Sequence, residues 1–248
     1  MKEQPFYVGY MPQMEGQLAR FIGRWVVALL VLGIGLGFWL ASSQTRLTGG
    51  FFDFGHAQSF EGILQLEPQP MLWVQNPNSE TRTAYLLVAP FKFGAGPLIQ
   101  PFDNQNVVLQ GSLIHRHGRV MLELVPDSIE PRGGEQRFAP QQRVLGQVEL
   151  AGEIVDAKCY LGVMNPGHLK PHRDCAVRCI SGGIPPVFLV RNEEGLADVL
   201  LLVNQQMKPF GPEILEWVAR PMRIKGQLVQ SGNLWLLKTE AVDFHALD

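Results

Sequence analysis

The sequence predicts a mainly β protein, with one N-terminal transmembrane helix followed by two small β-barrels. Three observations predict this class. A long uncharged run lies near the N-terminus, a set of strand-like segments occurs twice in the same order, and one copy holds an extra stretch of about 26 residues. The chain has 248 residues, of which 46% are hydrophobic, so it has enough apolar side chains for a sizeable core.

The uncharged run from Trp25 to Ser43 predicts the transmembrane helix. As a helix rising about 1.5 Å per residue, it would span about 28 Å, close to the hydrocarbon thickness of a bilayer. Trp25 and Trp39 lie near its ends, where indole rings prefer the membrane interface. A buried core helix and a cleaved signal peptide are the alternatives, but the run is long for a signal peptide and about 24 residues precede it. We therefore expect an N-terminal segment at residues 1–20 and an uncleaved anchor at residues 21–44.

The basic residues around the anchor predict its orientation. Lys2, Arg20 and Arg24 precede the run, and Arg46 follows it. Because Lys and Arg are enriched on the cytoplasmic side of membrane helices, we expect the N-terminus in the cytoplasm and the rest of the chain outside. The predicted location is a bacterial inner membrane, crossed once, with most of the chain in the periplasm.

Composition and small residues indicate the class of partner. The net charge of −2 argues against nucleic-acid binding, which relies on clustered Lys and Arg. Gly33 and Gly37 form a small-xxx-small pair in the anchor, which lets another membrane helix approach closely. Glycine is also common in membrane helices generally. We expect the membrane and other membrane-protein subunits as partners.

The part after the anchor contains an internal repeat. Two short apolar segments, a connection and a hairpin follow one another in each copy. Val88 and Gly111 in the first copy are 23 positions apart, as are Val203 and Gly226 in the second. Each hairpin then turns at a glycine, Gly118 or Gly232. Equal spacing over several segments predicts two copies of one structural unit.

The order of elements in each copy, β-β-β-α-β-β, resembles the OB-fold, a small five-stranded barrel. The helix of the second copy is predicted at residues 212–219, where Pro and Glu precede an apolar face. We expect one barrel at residues 56–132 and another at residues 146–248, with a linker at residues 133–145. A single β-sandwich with similar hairpins is the competing prediction.

The extra stretch lies between the first two strands of the second copy. From Gly62 to Pro70 is 8 positions, whereas from Gly152 to Pro186 is 34. We call residues 158–184 the insert. This is the loop at which OB-folds usually bind ligands. Because the first copy lacks it, we expect an added site that the fold itself does not require.

The insert holds all three cysteines and two of the six histidines of the chain. Cys175 and Cys179 are four positions apart, so one helical face carries both sulfurs, and His172 would share that face. Cys159 could complete a set of four ligands by folding back. The predicted metal ligands are Cys159, His172, Cys175 and Cys179. His168 and Asp156 are further candidates. Thiolates and imidazole in this combination suit zinc, copper or iron.

A disulfide is the alternative to a metal. An oxidising periplasm pairs cysteines, and Cys159 could bond to Cys175 or Cys179. Three cysteines leave one thiol over, which a purely structural bond does not explain. A reactive redox thiol is the third alternative.

The insert also resembles a motif of uncharacterised bacterial periplasmic proteins. Their G-x-V-V-D-x-x-C-Y opening matches residues 152–160 closely, and their H-x-x-C-A-x-x-C closing, followed by glycines and a proline, matches from His172 onwards. The resemblance implies no activity. An anchored periplasmic OB-fold is also similar to the haem chaperones of cytochrome c maturation, but the Tyr of their H-x-x-x-Y motif has no counterpart after His245.

No nucleophile, Walker or dinucleotide-binding motif is present in the sequence. We therefore expect an accessory subunit rather than an enzyme. The leading hypothesis is a single-pass, membrane-anchored periplasmic subunit of a larger, redox-active membrane complex, whose metal serves structure, electron transfer or delivery. The alternative is a free-standing metallochaperone or thiol-redox assembly factor.

Overall fold

The computed structural model describes residues 14–43, 49–135, 138–192 and 197–247. The chain divides into two compact units, Met1–Leu47 and Thr48–Asp248. The first contains helix α1, Gly16–Ser43, of 28 residues, none of them buried. The helix is long and apolar enough to cross a membrane, which agrees with the predicted anchor.

The second unit is built mainly from strands. In its described residues these are β1 (Gly50–Phe52), β2 (Gln58–Gln65), β3 (Met71–Gln75), β4 (Arg82–Val88), β5 (Gln105–Arg116), β6 (Arg119–Leu124), β7 (Glu130–Glu135), β8 (Gln142–Asp156), β9 (Pro186–Arg191), β10 (Ala197–Val203), β11 (Met222–Ser231), β12 (Leu234–Lys238) and β13 (Phe244–Ala246). The α-helices are α2 (Gly96–Ile99) and α3 (Arg173–Ser181). Short 3₁₀ turns lie at Gln100–Phe102, Lys170–His172, Pro212–Trp217 and Ala241–Asp243, and a π-helical turn lies at Cys159–Val163.

Two closed five-stranded barrels result, and the predicted fold class is confirmed. In the first barrel the strand order is β5-β2-β3-β4-β6, closed by β6 on β5. In the second it is β11-β8-β9-β10-β12, closed by β12 on β11. Within each ring only the third and fifth strands in chain order pair in parallel, β4 with β6 and β10 with β12. Two equal strand orders exclude the single sandwich.

The glycines in the middle of β5 and β11 have the same role. A Cβ on Gly111 would lie 3.0 Å from the carbonyl oxygen of Glu123, and one on Gly226 would lie 2.7 Å from that of Lys238. Each long strand therefore approaches its hairpin partner too closely for a side chain, where it curves around its barrel.

Several elements differ from the sequence prediction. The predicted helix at 212–219 is a 3₁₀ turn, Pro212–Trp217. The short strands β1, β7 and β13 were not predicted, and they add to the edges of β5 and β11. Strands β7 and β8 also run into the range 133–145 from its two ends, so the position of the linker stays a prediction.

An apolar core joins the two barrels. Each barrel has its own interior cluster, and a third cluster draws on both barrels and on the insert. The first barrel contributes Met71, Trp73 and Ile114, among others, and the second contributes Val187 and Leu201. We call this third cluster the shared core. The insert supplies Cys159, Tyr160, Leu161, Cys179 and Ile184 to this core.

Polar contacts join the same two barrels beside the shared core. Arg119 donates to both carboxylate oxygens of Asp198, from Nε at 2.8 Å and from Nη2 at 2.5 Å. Its Nη1 also donates to the carbonyl oxygen of Asn233. The Asn233 side chain in turn pairs with the backbone of Ala84, accepting at 2.7 Å and donating at 3.1 Å.

Candidate metal centre

The insert lies between β8 and β9, as the sequence predicts. It begins with the π-helical turn Cys159–Val163, and Asp156 at the end of β8 accepts the backbone N–H of Cys159 at 2.8 Å. It ends with α3, Arg173–Ser181, which returns the chain to β9. The turn that carries Cys159 thus starts at the end of β8, and the helix that carries Cys175 and Cys179 leads back to β9.

The structure brings the predicted ligands together. The ligand atoms of Cys159, His172 and Cys175 lie within 4.8 Å of one another, and so do those of Asp156, Cys159 and Cys179. Cys159 belongs to both groups, and its sulfur is 3.9 Å from that of Cys179. All three cysteines are free thiols. Cys159 and Cys179 are buried, whereas Cys175 is half-buried.

Asp156 orients the histidine of this cluster. Its Oδ2 lies 3.0 Å from His172 Nε2, and both side chains are buried. A carboxylate on one imidazole nitrogen fixes the ring and leaves the other nitrogen for a metal, as around many protein-bound metals. Asp156 therefore fits better as the partner of a ligand than as a ligand itself.

His168, the other histidine of the insert, lies outside both groups. Its ring nitrogens are 3.4 Å from Nη2 of Arg191, and its Nδ1 is 3.8 Å from Glu153. Burial and the charge of Arg191 lower its pKa. Burial also raises the pKa of the Glu153 carboxyl, whose Oε2 accepts the N–H of Leu169 at 2.8 Å.

A lysine from the first barrel completes the site, and the sequence did not reveal it. Lys92 donates from Nζ to Cys175 Sγ at 2.8 Å and to Cys179 Sγ at 3.7 Å. The hydrogen bond to Cys175 raises the pKa of Lys92 and outweighs partial burial. Lys92 lies 83 positions before Cys175 in the chain, so no local pattern links the two.

Glycines hold this lysine loop against the end of α3. Gly94 N donates to the carbonyl oxygen of Gly182 at 2.8 Å. A Cβ on Gly182 would lie 1.9 Å from the carbonyl oxygen of Lys92, and one on Gly94 would lie 2.1 Å from that of Gly183. Gly94, and Gly182 of the Gly-Gly pair after the third cysteine, are therefore required for the contact between the barrels. The sequence shows the Gly-Gly pair, but it does not reveal that the pair contacts the loop that holds Lys92.

A buried lysine next to Cys159 fixes the same loop from the other side. Lys158 is 2% exposed and forms an ion pair with Glu123 of the first barrel at 2.5 Å. Its Nζ also donates to the carbonyl oxygens of Ala89 at 2.9 Å and Phe91 at 2.6 Å. Phe91 has a left-handed backbone, with φ of 61°. The insert thus positions the residues on both sides of Lys92.

The thiols of Cys159 and Cys179 differ in acidity. The hydrogen bond with Cys179 and burial raise the pKa of Cys159. The hydrogen bond with Cys159, helped by the charge of Lys92 and opposed by burial, lowers the pKa of Cys179 to about 7. The ammonium of Lys92, 3.7 Å from the Cys179 sulfur, favours the thiolate form of Cys179. Thiolates are the form in which cysteines bind metals and attack disulfides.

The chain matches no family model, and no curated protein or solved structure is significantly similar to it. The resemblance of the insert to the periplasmic motif therefore stays a prediction.

Proposed function

We propose that the protein is a membrane-anchored periplasmic subunit whose insert binds a metal ion through Cys159, His172, Cys175 and Cys179. One observation carries the proposal: the three sulfurs and the imidazole fall into two groups that share Cys159, with a carboxylate already on the imidazole. The insert already buries Tyr160, Leu161 and Ile184, and a metal shared by its thiols and imidazole would add to that order.

The spacing of the sulfurs suits a tetrahedral thiolate site. Zinc–sulfur bonds of about 2.3 Å place two sulfurs of a tetrahedron about 3.8 Å apart. The Cys159 and Cys179 sulfurs are 3.9 Å apart. Three thiolates and one neutral imidazole around a divalent ion leave one negative charge, which the ammonium of Lys92 would balance. Zinc or cuprous copper fits this donor set best, and iron is the third choice.

The membrane part of the proposal depends on α1. The helix is apolar and buries none of its residues, and nothing lies within 4 Å of a Cβ added at Gly33 or Gly37, as expected for a helix that faces lipid or another membrane helix. The basic residues before it favour an N-terminus in the cytoplasm. In this arrangement the barrels lie in the periplasm beside a larger, redox-active membrane complex. A phosphatase reporter after Asp248 should be active, and an inactive one would contradict the orientation.

The metal is tested by elemental analysis of the detergent-purified chain. We expect about one equivalent in the wild type and loss of the metal in Cys175→Ser and in Cys179→Ser. His172→Ala should weaken binding, because water can take the fourth position. His168→Ala is the matched control, a histidine of the same insert outside the cluster, and should keep its metal. A wild type without metal after reduction and reconstitution would contradict the proposal.

A second candidate, a free-standing thiol-redox factor or metallochaperone, is favoured by one specific contact. Cys159 and Cys179 are close enough to join with small side-chain movements, and Lys92 lies beside the third thiol, Cys175. A Cys159–Cys179 disulfide would form by loss of two electrons and two protons to a periplasmic disulfide oxidant. Peptide mapping of the unreduced protein distinguishes the two: a subunit holding metal shows three protected thiols, whereas the redox factor shows this disulfide and one free thiol at Cys175.

A further inference from the structure

A second site lies between the insert and the second barrel, apart from the thiols. A cavity of about 790 Å³ opens there, with walls from β8, β9, the turn Lys170–His172 and residues 219–221 before β11. None of the four candidate metal ligands lines it. We call it the basic groove.

The groove carries an excess of positive charge. Four basic side chains line it, Lys170, Arg173, Arg191 and Arg220, against one acidic side chain, Glu153. Within the part of the chain that the structure describes, none of the four forms an ion pair. Cationic side chains that outnumber the acidic ones around a concave surface form a site for an anion.

One of these cations has an unused donor. The Nε of Arg173 is buried, and it has no hydrogen-bond partner among the described residues. Its Nη2 reaches only the carbonyl oxygen of Glu216, at 3.4 Å. The one carboxylate of the groove is already engaged, since Glu153 accepts the N–H of Leu169. Because this nitrogen is enclosed, the accessible donors of the groove are those of Lys170, Arg191 and Arg220, whose side chains are exposed.

The remaining walls are apolar. Leu169, Pro171, Leu189 and Pro221 line the groove, and Leu169 is 51% exposed in spite of its size. Inorganic anions need no such surface, whereas ligand sites for organic molecules combine apolar walls with a few polar groups. We propose that the basic groove binds a small amphipathic anion, a single anionic head group on an apolar body.

The test uses the full chain in zwitterionic lipid nanodiscs and 2-naphthoate as the probe, with isothermal titration calorimetry against empty nanodiscs. Two further ligands separate the contributions of the anionic head group and of the apolar rings. Acetate has the head group alone, and 2-naphthylmethylammonium has the same rings with a cationic head group. We expect saturable binding of naphthoate, at least tenfold weaker binding of acetate, and none of the cation.

Variants then locate the binding. Arg191→Gln and Arg220→Gln should each weaken naphthoate about tenfold or more, because each removes a charge-assisted hydrogen bond. Ala151→Trp should abolish binding by filling the groove without altering its charge. Arg143→Gln is the matched control. Arg143 is an exposed arginine of β8, the strand of Ala151, but lies outside the groove, so this variant should bind naphthoate as the wild type does. Metal content should be unchanged throughout.

Three outcomes would overturn the inference. One is no binding of naphthoate to the wild type. Another is equal binding of naphthoate and its cationic analogue, which would indicate partition into apolar surface. The third is wild-type affinity in Arg191→Gln, Arg220→Gln and Ala151→Trp, which would place the bound probe elsewhere. Each leaves the metal proposal untouched, because the candidate ligands lie outside the groove.

Discussion

The two barrels share one strand order but use the loop after their first strand differently. In the first barrel, residues 66–70 join β2 to β3, whereas in the second, residues 157–185 join β8 to β9. The first barrel closes without an insert, so the barrel ring itself does not need one. The long loop instead fills the contact between the barrels and brings three cysteines there. The first barrel has no such site of its own, but it supplies Lys92 and Glu123 to that of the second.

The largest effect is expected from giving the second barrel the short loop of the first. Replacing residues 157–185 with the sequence of residues 66–70 removes Tyr160, Leu161 and Ile184 from the shared core. We expect the unfolding free energy to fall by more than about 5 kcal/mol, since each large side chain contributes about 1.5–3 kcal/mol when fully buried. Urea unfolding should then show two transitions, one for each barrel.

The control for this exchange keeps the insert but removes its thiols, by changing Cys159, Cys175 and Cys179 to Ser. It should keep a single transition in metal-free buffer. A single transition at the wild-type midpoint in the loop exchange would show that the insert does not join the barrels.

The next largest effect is expected from Lys158→Met, which removes the cation that ties the insert to the first barrel. It leaves Glu123 without its partner and two carbonyl groups without a donor. Breaking a buried ion pair costs about 3–5 kcal/mol, measured by urea unfolding. Lys225→Met, at an exposed pair, should change stability little, and adding Glu123→Met to Lys158→Met should restore part of the loss. Wild-type stability in Lys158→Met would contradict the role of this pair.

A smaller effect is expected from Gly182→Ala, which tests the contact that holds Lys92 over the thiols. The new Cβ would overlap the carbonyl oxygen of Lys92, so the loop must move. We expect a loss of about 1–3 kcal/mol and faster alkylation of Cys175. Gly133→Ala, where an added Cβ meets nothing within 4 Å, is the control. An unchanged alkylation rate in Gly182→Ala would show that the glycine contact does not govern access to the thiols.

The smallest effect concerns the ion pair at the edge of the same contact. Burial raises the pKa of Asp198, but the hydrogen bonds from Arg119 and from Val199 N–H outweigh it and hold the pKa below its ordinary value. A lowered pKa in the folded state means stabilisation above about pH 3.9, the usual pKa of Asp, and its loss as the pH falls through the folded value. Asp198→Asn should therefore cost about 0.2–1 kcal/mol at pH 7, and this cost should shrink as the pH falls below about 3.9. A difference that does not vary with pH would exclude the ion pair as its cause.

The barrels could be predicted because their strands show a local sequence pattern and because that pattern is repeated along the chain. Val88 to Gly111 and Val203 to Gly226 span the same part of each barrel, and mid-strand glycines indicate curvature wherever they occur. The grouping of Cys175, Cys179 and His172 was likewise local, within two turns of one helical segment. Lys92, Glu123 and Arg119 could not be assigned, because their partners come from the other barrel and no spacing along the chain encodes that pairing. The strands β1, β7 and β13 were missed because each is short and is held by pairing with an edge rather than by its own pattern.

The buried pair of Lys158 and Glu123 also sets an order of assembly. The ribosome makes the chain from its N-terminus, so the first barrel can close before the insert has been made. Lys158 then emerges just ahead of Cys159 and can dock on Glu123, which brings the first thiol to the lysine loop while Cys175 and Cys179 are still to come. The finished first barrel can thus serve as a template for the later cysteines, before strands β9 to β12 of the second barrel have been made.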